Sequence, residues 1–410
     1  MSNQRALVFI LSLLAADTLA AEYVVRPLKI DLSSDVPRML SLVNNTQLPD
    51  EPQYPGLGST FGTDLDFLKG LQEQWLNEFD WNKEQTTMND LKHFTVIIEG
   101  LTIHYVHEKS TEPNATPLVL HHGWPSSFLE FEPVIKELTK PAKTSNGSDV
   151  AFDIVVPHLP GFGFSSRPPA NWTSDDTARV FHTLMTEVLG YEKFAVHGTD
   201  LASPVAYALY DQYNKTTRAA HFSFLPFIPP LPADIAAANI TLSPLEEFEA
   251  QRSLQYFASQ DAYSRQQQTE PNAIGLALYD NPVGILSWIA GKIDTQWADP
   301  RRGTPPSLLD DNDILKTVSF LHLTKTFVST VFAYTQNFGG FSVDYTKART
   351  DAPMLVSIFK YNTIFWPRQY AERVGNLVLY RNHEFGGHFP ATDNPPQFID
   401  DVREIGAYWQ

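Results

Sequence analysis

No cysteine occurs in the 410 residues. That absence excludes disulfides, thiolate metal sites and cysteine nucleophiles, so stability must come from a hydrophobic core, for which the length is ample. The chain has no Lys/Arg cluster interleaved with aromatics, and its net charge of −17 opposes phosphate backbones. Nucleic acid is therefore excluded as a partner. There are no Gly/Ser-rich linkers, charge blocks, low-complexity tracts or internal repeats, which argues for one catalytic body with additions. Metal-ligand motifs such as His-Glu-x-x-His are missing, and no cofactor is expected.

Long apolar runs are also missing. The longest candidate, Ala6 to Ala16, follows Arg5 and precedes Thr18-Leu19-Ala20-Ala21, with Ser12 and Asp17 interrupting it. A membrane span needs roughly 18 or more apolar residues. The order of basic, apolar and small residues is instead that of a secretory signal over residues 1–20, cleaved after Ala20 or Ala21. Asn-x-Ser/Thr sequons at Asn44, Asn114, Asn146, Asn171, Asn214 and Asn239 agree with a secreted or endomembrane-lumenal glycoprotein. Neither a homodimer nor peripheral membrane contact is indicated or excluded.

What is present is a change of texture along the chain. Residues 21–113 open with a cover rich in Pro, Trp and acids, with amphipathic helices expected around Leu68–Phe79 and Trp81–Leu91. From Phe94 short β-branched runs appear: Phe94–Glu99, Leu101–His107, Pro117–His121, Phe152–Pro157, Phe194–His197 and Ala219–Leu225. Across 231–345 the strand pattern fades, and amphipathic stretches such as Leu245–Phe257 and Ile274–Trp297 predict a helical insertion. Strands return at Met354–Phe359 and Asn376–Tyr380. Strands alternating with helices imply a mostly parallel sheet, divided as 114–230 and 346–410 around the insertion.

Three motifs sit at the ends of these strands. Gly198-Thr199-Asp200-Leu201-Ala202-Ser203 follows a strand and opens a helix, the setting of a nucleophile elbow with aspartate where serine usually stands. On this segment alone Asp200 could equally be an N-cap. His122-Gly123-Trp124-Pro125 follows strand Pro117–His121, where the Trp124 amide, with that of Leu201, would form an oxyanion hole. Gly386-Gly387-His388-Phe389 comes after the last strand, where this architecture delivers a histidine.

Together with Trp75-Leu76-Asn77-Glu78-Phe79-Asp80-Trp81, Glu99-Gly100-Leu101-Thr102-Ile103-His104-Tyr105 and Leu159-Pro160-Gly161-Phe162-Gly163-Phe164-Ser165, these motifs resemble the epoxide hydrolase family related to the microsomal enzymes, its fungal members in particular. The resemblance covers nearly everything after residue 20. It implies an α/β-hydrolase fold, with a mostly parallel eight-stranded sheet, an N-terminal extension and a helical lid. It also implies that Asp200 is the nucleophile, that His388 activates water, and that Tyr263 and Tyr334 in the lid donate to the epoxide oxygen. A carboxylate suits that chemistry, because attack on an epoxide leaves an ester that water can cleave, whereas serine would leave an inert ether.

The family's acidic residue before the histidine aligns with Asn362. Asparagine can orient an imidazole but carries no charge, and it can favour the wrong tautomer. Glu384 and Asp351 are the nearest carboxylates in sequence, Glu384 only if its loop folds back. The expected substrates are water and a hydrophobic, natural-product epoxide, in a lining inferred from Phe162, Phe164, Trp124, Phe224 and Trp366. The alternatives are an epoxide-opening cyclase and a catalytically silent carrier. Haloalkane dehalogenation lacks a halide donor, since Leu201 follows Asp200, and Ser203 lies too far into the helix for an esterase.

Overall fold

The computed structural model describes residues 23–336 and 341–409. The secretory segment read in residues 1–20 lies outside the described residues. Nine strands form one sheet: β1 (Arg26–Leu28), β2 (His93–Ile98), β3 (Leu101–Glu108), β4 (Thr116–His121), β5 (Phe152–Pro157), β6 (Phe194–Gly198), β7 (Thr217–Phe222), β8 (Pro353–Tyr361) and β9 (Asn376–Gly387). Their order is β1-β2-β3-β5-β4-β6-β7-β8-β9. The first four neighbours pair antiparallel and every pair from β5/β4 to β8/β9 is parallel.

All eight strands expected from the sequence are present. The ninth, β1, is three residues long and carries two exposed positions, Arg26 and Pro27, so it has no apolar run to announce it. It pairs with β2 at the sheet edge through Arg26↔Thr95 to Leu28↔His93. The central strands read as nearly continuous apolar runs, as a sheet covered on both faces requires. Leu118, Val119 and Leu120 of β4 and Phe194, Ala195 and Val196 of β6 are each 0% exposed.

The extension covers one end of this body. Helix Leu65–Asn77 buries Leu68, Leu71 and Trp75, the i, i+3, i+7 stripe of an amphipathic helix. Asp64 caps its start by accepting from the Phe67 amide at 2.9 Å, and Asp80 caps helix Trp81–Met88 in the same way.

Between β7 and β8 the described chain is helical. The stretch Ile274–Trp297, which reads as one amphipathic pattern, is two helices, Pro271–Leu278 and Pro282–Lys292, the second running on to Trp297 through a wider turn. Asn281 accepts from the Gly284 amide at 2.8 Å and Pro282 takes the first helical position, so this pair restarts the helix.

The extension is fastened to the helical insertion. Arg38 makes a bidentate pair with Asp280 at 2.6 Å and 2.6 Å. The Thr63 hydroxyl donates to the Ser287 carbonyl at 2.6 Å and accepts from the Gly291 amide at 3.1 Å. Lys316 of helix Asp311–Leu323 reaches Glu132 at 3.2 Å on the core and Glu84 at 3.7 Å on the extension. Gly291 permits the Thr63 contact, since a Cβ there would stand 2.6 Å from the Thr63 Cα and 2.8 Å from its nitrogen. Gly291→Ala should therefore cost about 1–3 kcal/mol by overpacking. Thermal unfolding should show a lowered midpoint, and an unchanged one would mean that the extension is not held there.

Candidate active site

Five loops at the carboxyl ends of β4, β6, β7, β8 and β9 converge, the place where open parallel sheets build their sites. After β6 the chain turns through Asp200 with φ of 44°, a left-handed conformation unusual for a residue with a side chain. The side chain does not cap the following helix. It points across to the loop after β4, where Oδ1 accepts from the Trp124 amide at 2.8 Å. Gly123 makes that approach possible, because a Cβ at this position would lie 2.3 Å from the Asp200 Cβ. Leu201 follows in the short helix Asp200–Ala202 and lines the same cavity as Asp200.

His388 is 4% exposed and lies just beyond β9. Its Nε2 stands 3.3 Å from Oδ2 of Asp200, and its Nδ1 stands 2.9 Å from Oδ1 of Asn362. The backbone beneath it is clamped by carboxylates that the sequence did not single out. Asp299 accepts from the Gly386 amide at 3.1 Å, while Asp393 accepts from the Asp299 amide and the Ser307 hydroxyl at 2.6 and 2.7 Å.

The tautomer follows from the surroundings of Asn362. The Thr363 amide can only donate, and it donates to Asn362 Oδ1 at 2.8 Å. The Ser223 carbonyl can only accept, and it accepts from Nδ2 at 3.0 Å. The carboxamide therefore cannot be turned around without breaking both bonds. Its oxygen faces the imidazole, so Nδ1 must donate, and it is Nε2 that carries the lone pair in the neutral ring. The wrong-tautomer expectation is thus corrected, because Ser223 and Thr363 turn the amide oxygen, and not its NH2, toward the imidazole. A relocated acid is not found at either sequence candidate. Asp351 pairs with Arg218 at 2.9 Å and Glu384 with Lys360 at 2.8 Å, both with largely exposed side chains, because β9 runs on past Glu384 as strand.

Tyr263 and Tyr334 come from helices Ala262–Thr269 and Phe327–Gln336 and stand over Asp200. The Trp124 indole stacks on Tyr263 at 5.4 Å and meets Tyr334 edge-on at 5.9 Å. Burial pushes both phenols well above the ordinary tyrosine value, with the Asp200 charge adding to it, so both stay protonated. The Tyr334 hydroxyl is buried without a completed hydrogen bond and lines the cavity. Behind the phenols stand two residues that sequence reasoning missed. Tyr256 lies 3.0 Å from Tyr263, hydroxyl to hydroxyl. Gln267, fully buried, accepts from the Trp288 indole at 3.0 Å, which turns its NH2 the other way, where it completes no hydrogen bond. Both sit seven and four residues from Tyr263, a helical-face spacing that could have drawn attention to them.

The cavity in front of Asp200 has a volume of about 430 Å³. Its apolar wall is Phe224, Ile228, Phe257, Phe341 and Ile364. Of the five aromatics expected from the sequence only Phe224 lines it. Trp124, Phe162 and Trp366 are buried packing residues at 1%, 1% and 0% exposure, and Phe164 packs on His104 and Phe320.

The geometry has counterparts among known proteins. Residues 25–131 match the family described as "Epoxide hydrolase N terminus" and residues 116–256 the alpha/beta hydrolase fold. A Stigmatella aurantiaca (strain DW4/3-1) protein assigned by name to the epoxide hydrolases is 32% identical over 345 residues, 84% of this chain and 76% of its own length. One from Dothistroma septosporum is 30% identical, over 85% and 81% of the two chains. The Aspergillus niger epoxide hydrolase structure superposes with a TM-score of 0.81 at 29% identity, covering 94% of this chain and 96% of that one.

Asn362→Asp tests how the amide is held. An introduced carboxylate would face the Ser223 carbonyl with lone pairs opposed, at a cost of about 1–3 kcal/mol. The loss of stability should be larger at pH 8 than at pH 4, where a protonated carboxyl can still donate. Equal stability at both would mean that the Ser223 bond does not fix the amide.

Proposed function

The chain belongs to the epoxide hydrolase family, an α/β-hydrolase acting on epoxides, and from that premise we propose that it opens a hydrophobic epoxide through an alkyl ester on Asp200. The observation that carries this reading is the division of labour between the two oxygens of one carboxylate. Oδ1 is held by the Trp124 amide, and Oδ2 is turned toward His388.

Oδ2 attacks an epoxide carbon held between Asp200 and the phenols. The carbon–oxygen bond of the ring breaks, and the oxygen takes a proton from Tyr334 or Tyr263, whose burial keeps them neutral until that moment. The product of this half is a hydroxyalkyl ester. His388, with its proton on Nδ1 and its lone pair on Nε2, then removes a proton from water, whose oxygen adds to Cγ of Asp200. The developing oxyanion is Oδ1, already on the Trp124 amide, with the Leu201 amide proposed as second donor. Collapse releases a diol that carries the former Oδ2 and takes the imidazolium proton, the carboxyl proton of Asp200 returns the tyrosinate to a phenol, and the water oxygen stays in Asp200. The neutral Asn362 orients the imidazole throughout but lends no charge to the imidazolium. The apolar wall supports a hydrophobic substrate, in keeping with a natural-product epoxide.

The route to the site of action is proposed to be secretory. Asn44, Asn114, Asn146, Asn171 and Asn239 are exposed, whereas Asn214 is half-buried and its amide donates to the Arg349 carbonyl. Glycan mapping on protein from a secretory host should find sugar at exposed sequons and leave Asn214 bare. Unmodified asparagines throughout would count against the secretory reading.

The mechanism has its own test. In ¹⁸O-water, the first turnover should give unlabelled diol and place the label in the Asp200 peptide. His388→Gln should accumulate the epoxide's mass on that peptide, and Tyr334→Phe or Tyr263→Phe should slow its appearance roughly 10- to 100-fold. Label in the diol with none on Asp200 would mean direct attack by water and would overturn the ester.

A further inference from the structure

A second, smaller cavity of about 40 Å³ is lined by residues that flank the Trp124 loop. Pro125 and Ser126 line it from that loop, Phe389 and Thr392 from the segment after His388, and Glu130 from the short helix Phe128–Glu130. Glu130 is 5% exposed, and neither of its oxygens completes a hydrogen bond. A buried carboxyl in that condition is costly, several times the net worth of an ordinary hydrogen bond. A polar cavity needs roughly 10–15 Å³ per water, so this one has room for about three.

We propose that this cavity stores the water of the second half-reaction, and that Glu130 is the positioning residue that orients it toward the Asp200 ester. The proposal rests on the ester reading above. It would supply water to a carbon whose front face is covered by substrate, since the store is lined from both the loop of the oxyanion donor and the segment after the base.

The charges around Glu130 decide its state. Burial pushes its carboxyl up to about 8 and the Asp200 charge adds to this, while the Ser126 hydroxyl and the Gly123 amide draw it back. Asp313 and Lys316 face the same cavity from helix Asp311–Leu323, but the Lys316 ammonium is engaged by Asp313 at 2.9 Å and Glu132 at 3.2 Å. Below pH 8 Glu130 is therefore a neutral acid, able both to donate to water and to accept from it. Above pH 8 it can only accept, and it sets a second negative charge beside the oxyanion forming on Asp200. Ester hydrolysis should accordingly fall as pH rises through 8, whereas ester formation should not.

Single turnover with styrene oxide, reading the mass of the Asp200 peptide against time, separates the two steps. In Glu130→Gln, formation should stay within about twofold of wild type while decay slows roughly tenfold and loses its alkaline limb. Ser126→Ala removes a nearby hydroxyl dipole that lowers the Glu130 value, so it should move that limb to higher pH with the fold intact. Decay at the wild-type rate in Glu130→Gln, equal slowing of both steps, or a limb that persists in Glu130→Gln would overturn the role of Glu130 and leave the ester standing. Wild type that never forms the adduct would instead overturn the ester reading, and this proposal with it.

Discussion

A carboxylate held by one backbone amide organises this molecule. Asp200 sits in a left-handed turn at the end of a buried strand, and the Trp124 N–H takes one of its oxygens at 2.8 Å. That contact needs Gly123, because any side chain there would occupy the space of Asp200. With one oxygen spoken for, the other is directed to His388, so the orientation of the nucleophile is settled before substrate arrives. The same tryptophan then stacks its indole under Tyr263 and sets its edge to Tyr334. Backbone and side chain of a single residue thus relate the proposed nucleophile to the phenols proposed as its acids.

Charge is managed around this contact by burial and orientation more than by pairing. An asparagine stands behind the imidazole, and its two sides meet a carbonyl and an amide that cannot exchange roles. The imidazole consequently presents Nε2 as a base although no carboxylate lies behind it. What is missing is attraction for the imidazolium, so any penalty falls on the step in which water is deprotonated. The phenols illustrate the opposite device, since burial beside Asp200 keeps them protonated.

Much of this was legible in the residues, and what was not has definable causes. The parallel strands announce themselves as apolar runs, and the elbow, the oxyanion loop and the histidine loop fall at strand ends as their motifs imply. Strand β1 was hidden because it is short and half exposed. The break before Pro282 was visible as an Asn-Pro pair but was overridden by the periodicity on either side. Tyr256 and Gln267 carry no motif, and their importance lies in which hydroxyl or amide they face, a property of three-dimensional packing. The lining was misread for a related reason: large aromatics near a cleft fill the core as readily as they face it, and four of the five did so. The rotation of the Asn362 amide is set by Ser223 and Thr363, residues with nothing to mark them in the linear chain.

The ties between the extension and the helical insertion bear on kinetics. Arg38 with Asp280, Thr63 with Ser287 and Gly291, and Lys316 between Glu84 and Glu132 anchor the insertion at points well separated along it. Each tie restrains the insertion against the extension at its own point. Selection among substrates then becomes a matter of fixed aperture and diffusion: molecules that pass the mouth meet a preassembled site, and those too broad are refused outright.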